Sequence, residues 1–125
     1  MPTVLVVDDD PSVRAYLRDV LELEGYDVQI AADGYEALRT VGAERPGCVL
    51  LDVMMPGIDG YAVLTKLRAI APGLPVVMLT AAADDASAWK AWSGGVDYFL
   101  AKPLDASELL RYLDYLFGAR HPAVP

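Results

Sequence analysis

Four places in this 125-residue chain carry side chains suited to a doubly charged oxyanion: the acidic run Asp8-Asp9-Asp10, the isolated Asp52, the Thr80 hydroxyl and the Lys102 ammonium. A carboxylate can attack phosphorus and give an acyl phosphate. Carboxylates gathered at one place repel one another, and burying them unpaired costs several kcal/mol or forces protonation. A hard cation removes that cost; magnesium, which prefers carboxylates, water and phosphate oxygens, is the apt choice, with manganese as a substitute. Lys102 adds a compact charge able to reach a carboxylate or a phosphoryl oxygen. A cation on one side and the lysine on the other would neutralise the transferring oxygens, and Thr80 could hydrogen-bond one of them once attached.

For these residues to act together, the fold must bring positions 8, 52, 80 and 102 to one rim. Val4-Leu5-Val6-Val7 and Cys48-Val49-Leu50-Leu51 are continuous apolar runs, the pattern of strands buried on both faces of a parallel sheet. Val28 to Ala31, Pro75 to Leu79 and Asp97 to Ala101 supply three more strands, Pro75 being tolerated at a strand's beginning. Asp10-Pro11 reads as a helix start, and Val13, Tyr16, Leu17, Val20 and Leu21 form an apolar stripe running to Gly25. Asp33 with Glu36 and Asp105 with Glu108 have capping-box spacing ahead of two further helices, the last stopped by Gly118. A third helix carries Tyr61, Val63, Leu64 and Leu67 after the Pro56-Gly57 turn, and a fourth, alanine-rich one is expected from Asp85 to Ser93. The alternation predicts a flavodoxin-like, doubly wound α/β sandwich of three layers: a five-stranded parallel sheet of order 2-1-3-4-5 with five helices.

Ligands of such sheets bind outside the carboxyl ends of the strands. Strand one runs into Asp8, Asp9 and Asp10, strand three into Asp52, strand four into Thr80 and strand five into Lys102. Asp52 stands alone on a central strand and is the nucleophile candidate, leaving Asp8 and Asp9 to hold metal. Asp10 is better suited to capping the first helix.

Composition narrows the function classes. Hydrophobic residues at 54% against 22% charged exclude a disordered chain. Eighteen acidic residues against ten basic ones give a net charge of −8, which offers no polybasic surface to nucleic acid or anionic lipid. The single cysteine, Cys48, lies in an apolar run and reads as a small buried hydrophobe. The amino terminus has no basic n-region and no apolar run reaches membrane-span length, so a cytoplasmic location is expected. Lys66, Arg68 and Lys90 read as surface charges.

Taken together, Val4 to Asp10, Leu51-Asp52-Val53-Met54-Met55-Pro56-Gly57-Ile58-Asp59-Gly60, Val77 to Ala81 and Asp97 to Leu104 resemble a two-component response regulator receiver domain over essentially the whole chain. The resemblance implies Asp52 as phosphoacceptor, Asp8, Asp9 and the backbone carbonyl of Met54 as metal contacts, and Thr80 and Lys102 as the switch hydroxyl and the lysine. It places the rotating aromatic on Phe99 rather than Tyr98 and a cis peptide at Lys102-Pro103. It also implies a histidine kinase or histidine phosphotransfer protein as donor, catalysis of the domain's own modification without turnover of a separate substrate, and a domain over 1–118 with 119–125 a tail or the start of a linker. Met54 and Ala82 stand where some members place polar groups that assist water, which implies slow self-dephosphorylation.

In such a domain Thr80 would move toward the phosphoryl group and Phe99 would turn inward, biasing the packing of the fourth helix, fifth strand and fifth helix. Trp89, Trp92, Tyr112 and Tyr115 lie on or near that surface, where they serve either a homodimer or effector interface or simply the core. Two rivals remain. Asp8, Asp10 and Ser12 superficially resemble the first motif of haloacid-dehalogenase-like phosphatases, with Asp8 as nucleophile, and a pseudo-receiver would bind protein without phosphorylation.

Overall fold

The computed structural model describes residues 2–81, 90 and 92–118. Val4 to Val7 and Cys48 to Leu51 have no exposed surface, as continuous apolar runs demand, and they form the two inner strands β1 (Thr3–Val7) and β3 (Cys48–Asp52). With β2 (Asp27–Ala31), β4 (Val76–Thr80) and β5 (Tyr98–Ala101) they make one parallel sheet of order β2-β1-β3-β4-β5. Register pairs Val7 with Leu51, Asp52 with Leu79 and Thr80 with Ala101, so the carboxyl ends of the strands lie level along one rim.

Strand side chains alternate between two apolar layers. Leu5, Val7, Val49, Leu51 and Met78 pack against α2 (Gly34–Ala43) and α3 (Gly60–Ile70). Val4, Val6, Leu50 and Leu79 pack against α1 (Pro11–Leu23) and the last helix, α4 (Ala106–Leu116). Four helices are thus present among the described residues. Of the helix expected from Asp85 to Ser93, only Lys90, Trp92 and Ser93 are described. Ala82, Trp89 and the segment 119–125 also lie outside the described residues.

The caps aim the helices at the rim. Asp10 and Asp105 each accept from the amide two residues on, Ser12 at 2.8 Å and Ser107 at 2.9 Å. The cap expected at Asp105 is thus made through the Ser107 amide, one residue short of the Glu108 that the expected box uses. Asp33 accepts from Glu36 N at 2.8 Å and Asp59 from Ala62 N at 2.9 Å. Pro75 and Asp97 stand just outside β4 and β5: the Pro75 carbonyl accepts from Val49 N, and the Asp97 amide donates to the Val76 carbonyl, both at 2.9 Å.

Candidate functional site

Asp8 leaves β1 buried, 1% exposed, and is held at three points. The Asp10 amide donates to its Oδ1 at 3.0 Å, Lys102 Nζ donates to its Oδ2 at 3.1 Å, and Arg14 Nη1 donates to its backbone carbonyl at 2.7 Å. Asp9, next in the chain, is exposed. Asp10 turns its side chain to the α1 cap, which leaves it outside the acid cluster.

Asp52 ends β3 at 4% exposure. Its Oδ1 accepts from Lys102 Nζ and from the Met54 amide, each at 3.3 Å. One ammonium therefore bridges two buried carboxylates from strands far apart in sequence. Burial, then the Asp8 charge, pushes the Asp52 carboxyl above its ordinary range, with Lys102 opposing. Burial pulls the Lys102 ammonium down, but its hydrogen bond to Asp8 and the charges of Asp52 and Asp8 outweigh this, so its proton is held more tightly than usual.

Carboxylate oxygens of Asp8, Asp9 and Asp52 lie within 4.8 Å of one another. Three hard oxygen donors of one sign against a single ammonium suit a hard divalent cation, which would offset both the burial of the Asp52 carboxylate and its repulsion by Asp8.

The remaining expected residues flank this cluster. Thr80 ends β4 with no exposed surface, and its carbonyl accepts from the Lys102 amide at 2.7 Å. The Lys102–Pro103 peptide is cis. Met54 is 67% exposed, its amide turned to Asp52. Phe99 is half-buried against the layer holding α2 and α3, whereas Tyr98 faces the opposite layer and stacks on Tyr112, centroids 4.5 Å apart. Trp92 and Tyr115 are exposed. Burial, then the Asp97 charge, raises the Cys48 thiol's pKa, so it is a packing group.

One surface-charge expectation needs correction. Arg68 reaches from α3 to the Gly95 carbonyl at 2.8 Å, the Leu74 carbonyl at 2.6 Å and Asp97 Oδ2 at 2.8 Å, because β4 and β5 begin directly beneath it. Lys90 is exposed, as expected, and its Nζ lies 4.3 Å from the Tyr61 ring centroid, a cation–π contact. Arg14 was missed altogether; the available signal was its place four residues after Asp10, which returns it to the loop leaving β1.

A 2-1-3-4-5 parallel sheet with Asp8, Asp9, Asp52 and Lys102 at its carboxyl rim defines a receiver-type α/β domain. The response regulator receiver domain family matches residues 4–114, and the chain belongs to that family. The response regulator MprA of Mycolicibacterium vanbaalenii is 44% identical over 119 residues, 95% of this chain and 52% of that protein. The chain thus spans about half the length of the curated relatives it matches. The Vibrio cholerae chemotaxis protein CheY4, crystallised at pH 4.0, superposes with a TM-score of 0.88 at 31% identity, covering 94% of this chain and 99% of that one. For the Francisella response regulator 1452 receiver domain the TM-score is 0.90 at 31% identity, with 95% and 98% covered. The receiver family match over residues 4–114 stands against the phosphatase reading of Asp8. Among the described residues no helix is long and apolar enough to cross a membrane.

Proposed function

We propose that the domain, residues 1–118 with 119–125 as tail or linker start, takes a phosphoryl group onto Asp52 from the phosphohistidine of a histidine kinase or histidine phosphotransfer protein, in the cytoplasm. The observation that carries this is Lys102 bridging Asp8 and Asp52 at 3.1 and 3.3 Å beside a third carboxylate. A carboxylate oxygen of Asp52 attacks phosphorus; the P–N bond breaks, its electron pair stays on the imidazole, and that nitrogen takes a proton from water. With acetyl phosphate the P–O bond breaks instead and acetate leaves. Asp8, Asp9, Asp52 and the Met54 carbonyl would hold magnesium, or manganese in its place, and the ion would neutralise charge on the transferring oxygens. Lys102 then moves from the free carboxylate toward a phosphoryl oxygen, and the Thr80 hydroxyl bonds another.

The added charge shifts Thr80 on β4 and Phe99 on the neighbouring β5, where Phe99 is level with Met78, and carries the change to the face formed by the helix expected from Asp85 to Ser93, β5 and α4. Exposed Trp92 and Tyr115 make that face the contact for a homodimer or an effector. The test is intact-mass analysis after acetyl phosphate with magnesium, on the natural chain and on Asp52→Ala, with sizing before and after. One phosphoryl mass on the first and none on the second is expected; equal labelling of both removes the assignment, and no labelling of either favours a pseudo-receiver. Met54 offers no polar group to orient water, so the labelled form should persist; a half-life of seconds in magnesium without a phosphatase would refute slow self-dephosphorylation.

A further inference from the structure

The first turn of α3 presses against the acceptor's own backbone. Gly60 opens this helix and is buried, and its N–H donates to the Val53 carbonyl at 2.9 Å, closing the loop 53–59 on its own ends. A Cβ at position 60 would stand 2.5 Å from the Asp52 carbonyl oxygen and 2.7 Å from Val53 Cα. Both are backbone atoms with no rotamer by which to retreat. Ordinary contact begins at 3.4 Å, so strand and helix would have to part by roughly 1 Å. Gly60 is not among the left-handed glycines, which are Gly25, Gly57 and Gly95, so what it supplies is space. Alanine has the higher helix propensity, so glycine here forgoes helix preference for close approach.

We propose that Gly60 is a positioning residue for phosphoryl acceptance. Its missing side chain lets α3 buttress the backbone from Asp52 to Met54, holding the carboxylate on Lys102 Nζ and on the Met54 amide. Displacing that backbone would misaim the acceptor and the Met54 carbonyl together. This role rests on Asp52 being the acceptor.

The test follows intact mass over time with acetyl phosphate and magnesium chloride, on the full chain as wild type, Gly60→Ala, Asp52→Ala and Val4→Ala. Val4 is buried near the opposite end of β1, so its truncation controls for lost stability alone. Gly60→Ala should lower the limiting labelling rate per folded molecule by roughly ten- to hundredfold. It should also raise the magnesium concentration giving half that rate, while Val4→Ala keeps both. Wild-type rate and magnesium dependence in Gly60→Ala, or an equal fall in Val4→Ala, overturns the proposal. Should Gly60→Ala be unfolded in buffer, labelling is read in trimethylamine N-oxide, which favours burial without touching the contact. Normal labelling there, or failure to fold where Val4→Ala folds, assigns the glycine to the fold and also overturns the role. A wild-type chain that gains no phosphoryl beyond Asp52→Ala overturns the acceptor reading itself, a separate result.

Discussion

At the amino ends of β4 and β5 one guanidinium meets one carboxylate, whereas at the carboxyl rim a single ammonium is shared between two buried carboxylates with a third beside them. Arg68 spends its donors on Asp97, Gly95 and Leu74 at 2.6 to 2.8 Å, and Asp97 also receives the Val76 amide at 2.8 Å. That end is matched in charge and in hydrogen bonds. The rim bonds are longer, at 3.1 and 3.3 Å, and negative charge is in excess. Both ends use ion pairs to tie distant strands, but only the mismatched one has a use for a further cation or a phosphoryl group. Surplus charge, rather than the presence of a salt bridge, distinguishes a working site from a clamp.

The largest break in this comparison comes from Lys102→Ala, which should slow acetyl phosphate labelling by about a hundredfold or more, read by intact mass. In metal-free protein the same change should cost about 2–3 kcal/mol in chemical unfolding, since it leaves two buried carboxylates facing each other, and added magnesium should restore much of the loss. Asp97→Ala, at a pair whose carboxylate is 44% exposed, should cost about 1–2 kcal/mol with no recovery in magnesium. Equal magnesium dependence at the two ends would erase the distinction.

The smallest effect is one of sign. Asp52→Asn removes one of the crowded charges and should stabilise metal-free protein by about 1 kcal/mol. Because the folded Asp52 carboxyl holds its proton above the ordinary 3.8, the folded state binds more protons than the unfolded state between that value and the raised one. This contribution therefore falls as pH rises through that window and stays lost above it. Denaturant midpoints against pH should show the falling contribution in wild type and its absence in Asp52→Asn, and magnesium should flatten it. A contribution that rises with pH would mean that Lys102, not burial and Asp8, dominates at Asp52.

The rim was legible because apolar runs are easily read and each ends in a residue with chemistry: Val7 precedes Asp8, Leu51 precedes Asp52, Leu79 precedes Thr80, Ala101 precedes Lys102. The caps at Asp10 and Asp33 were legible for a similar reason, as they act over two or three residues. Arg68 and Asp97 were not, because 29 residues separate them and each alone has the look of a surface charge. Gly60 carried no sign of its role, since the atoms it must clear belong to a strand eight residues earlier.

Residue types and their order were enough for the class of fold, the family and the set of groups at the rim, since hydrophobic period and chain direction decide which strand ends lie together. Which carboxylates Lys102 touches, that Asp8 is buried while its neighbour Asp9 is exposed, and how closely α3 backs Asp52 depended on packing in three dimensions. Those are matters of an ångström between chain segments remote in sequence, and local preference acts over only a few residues.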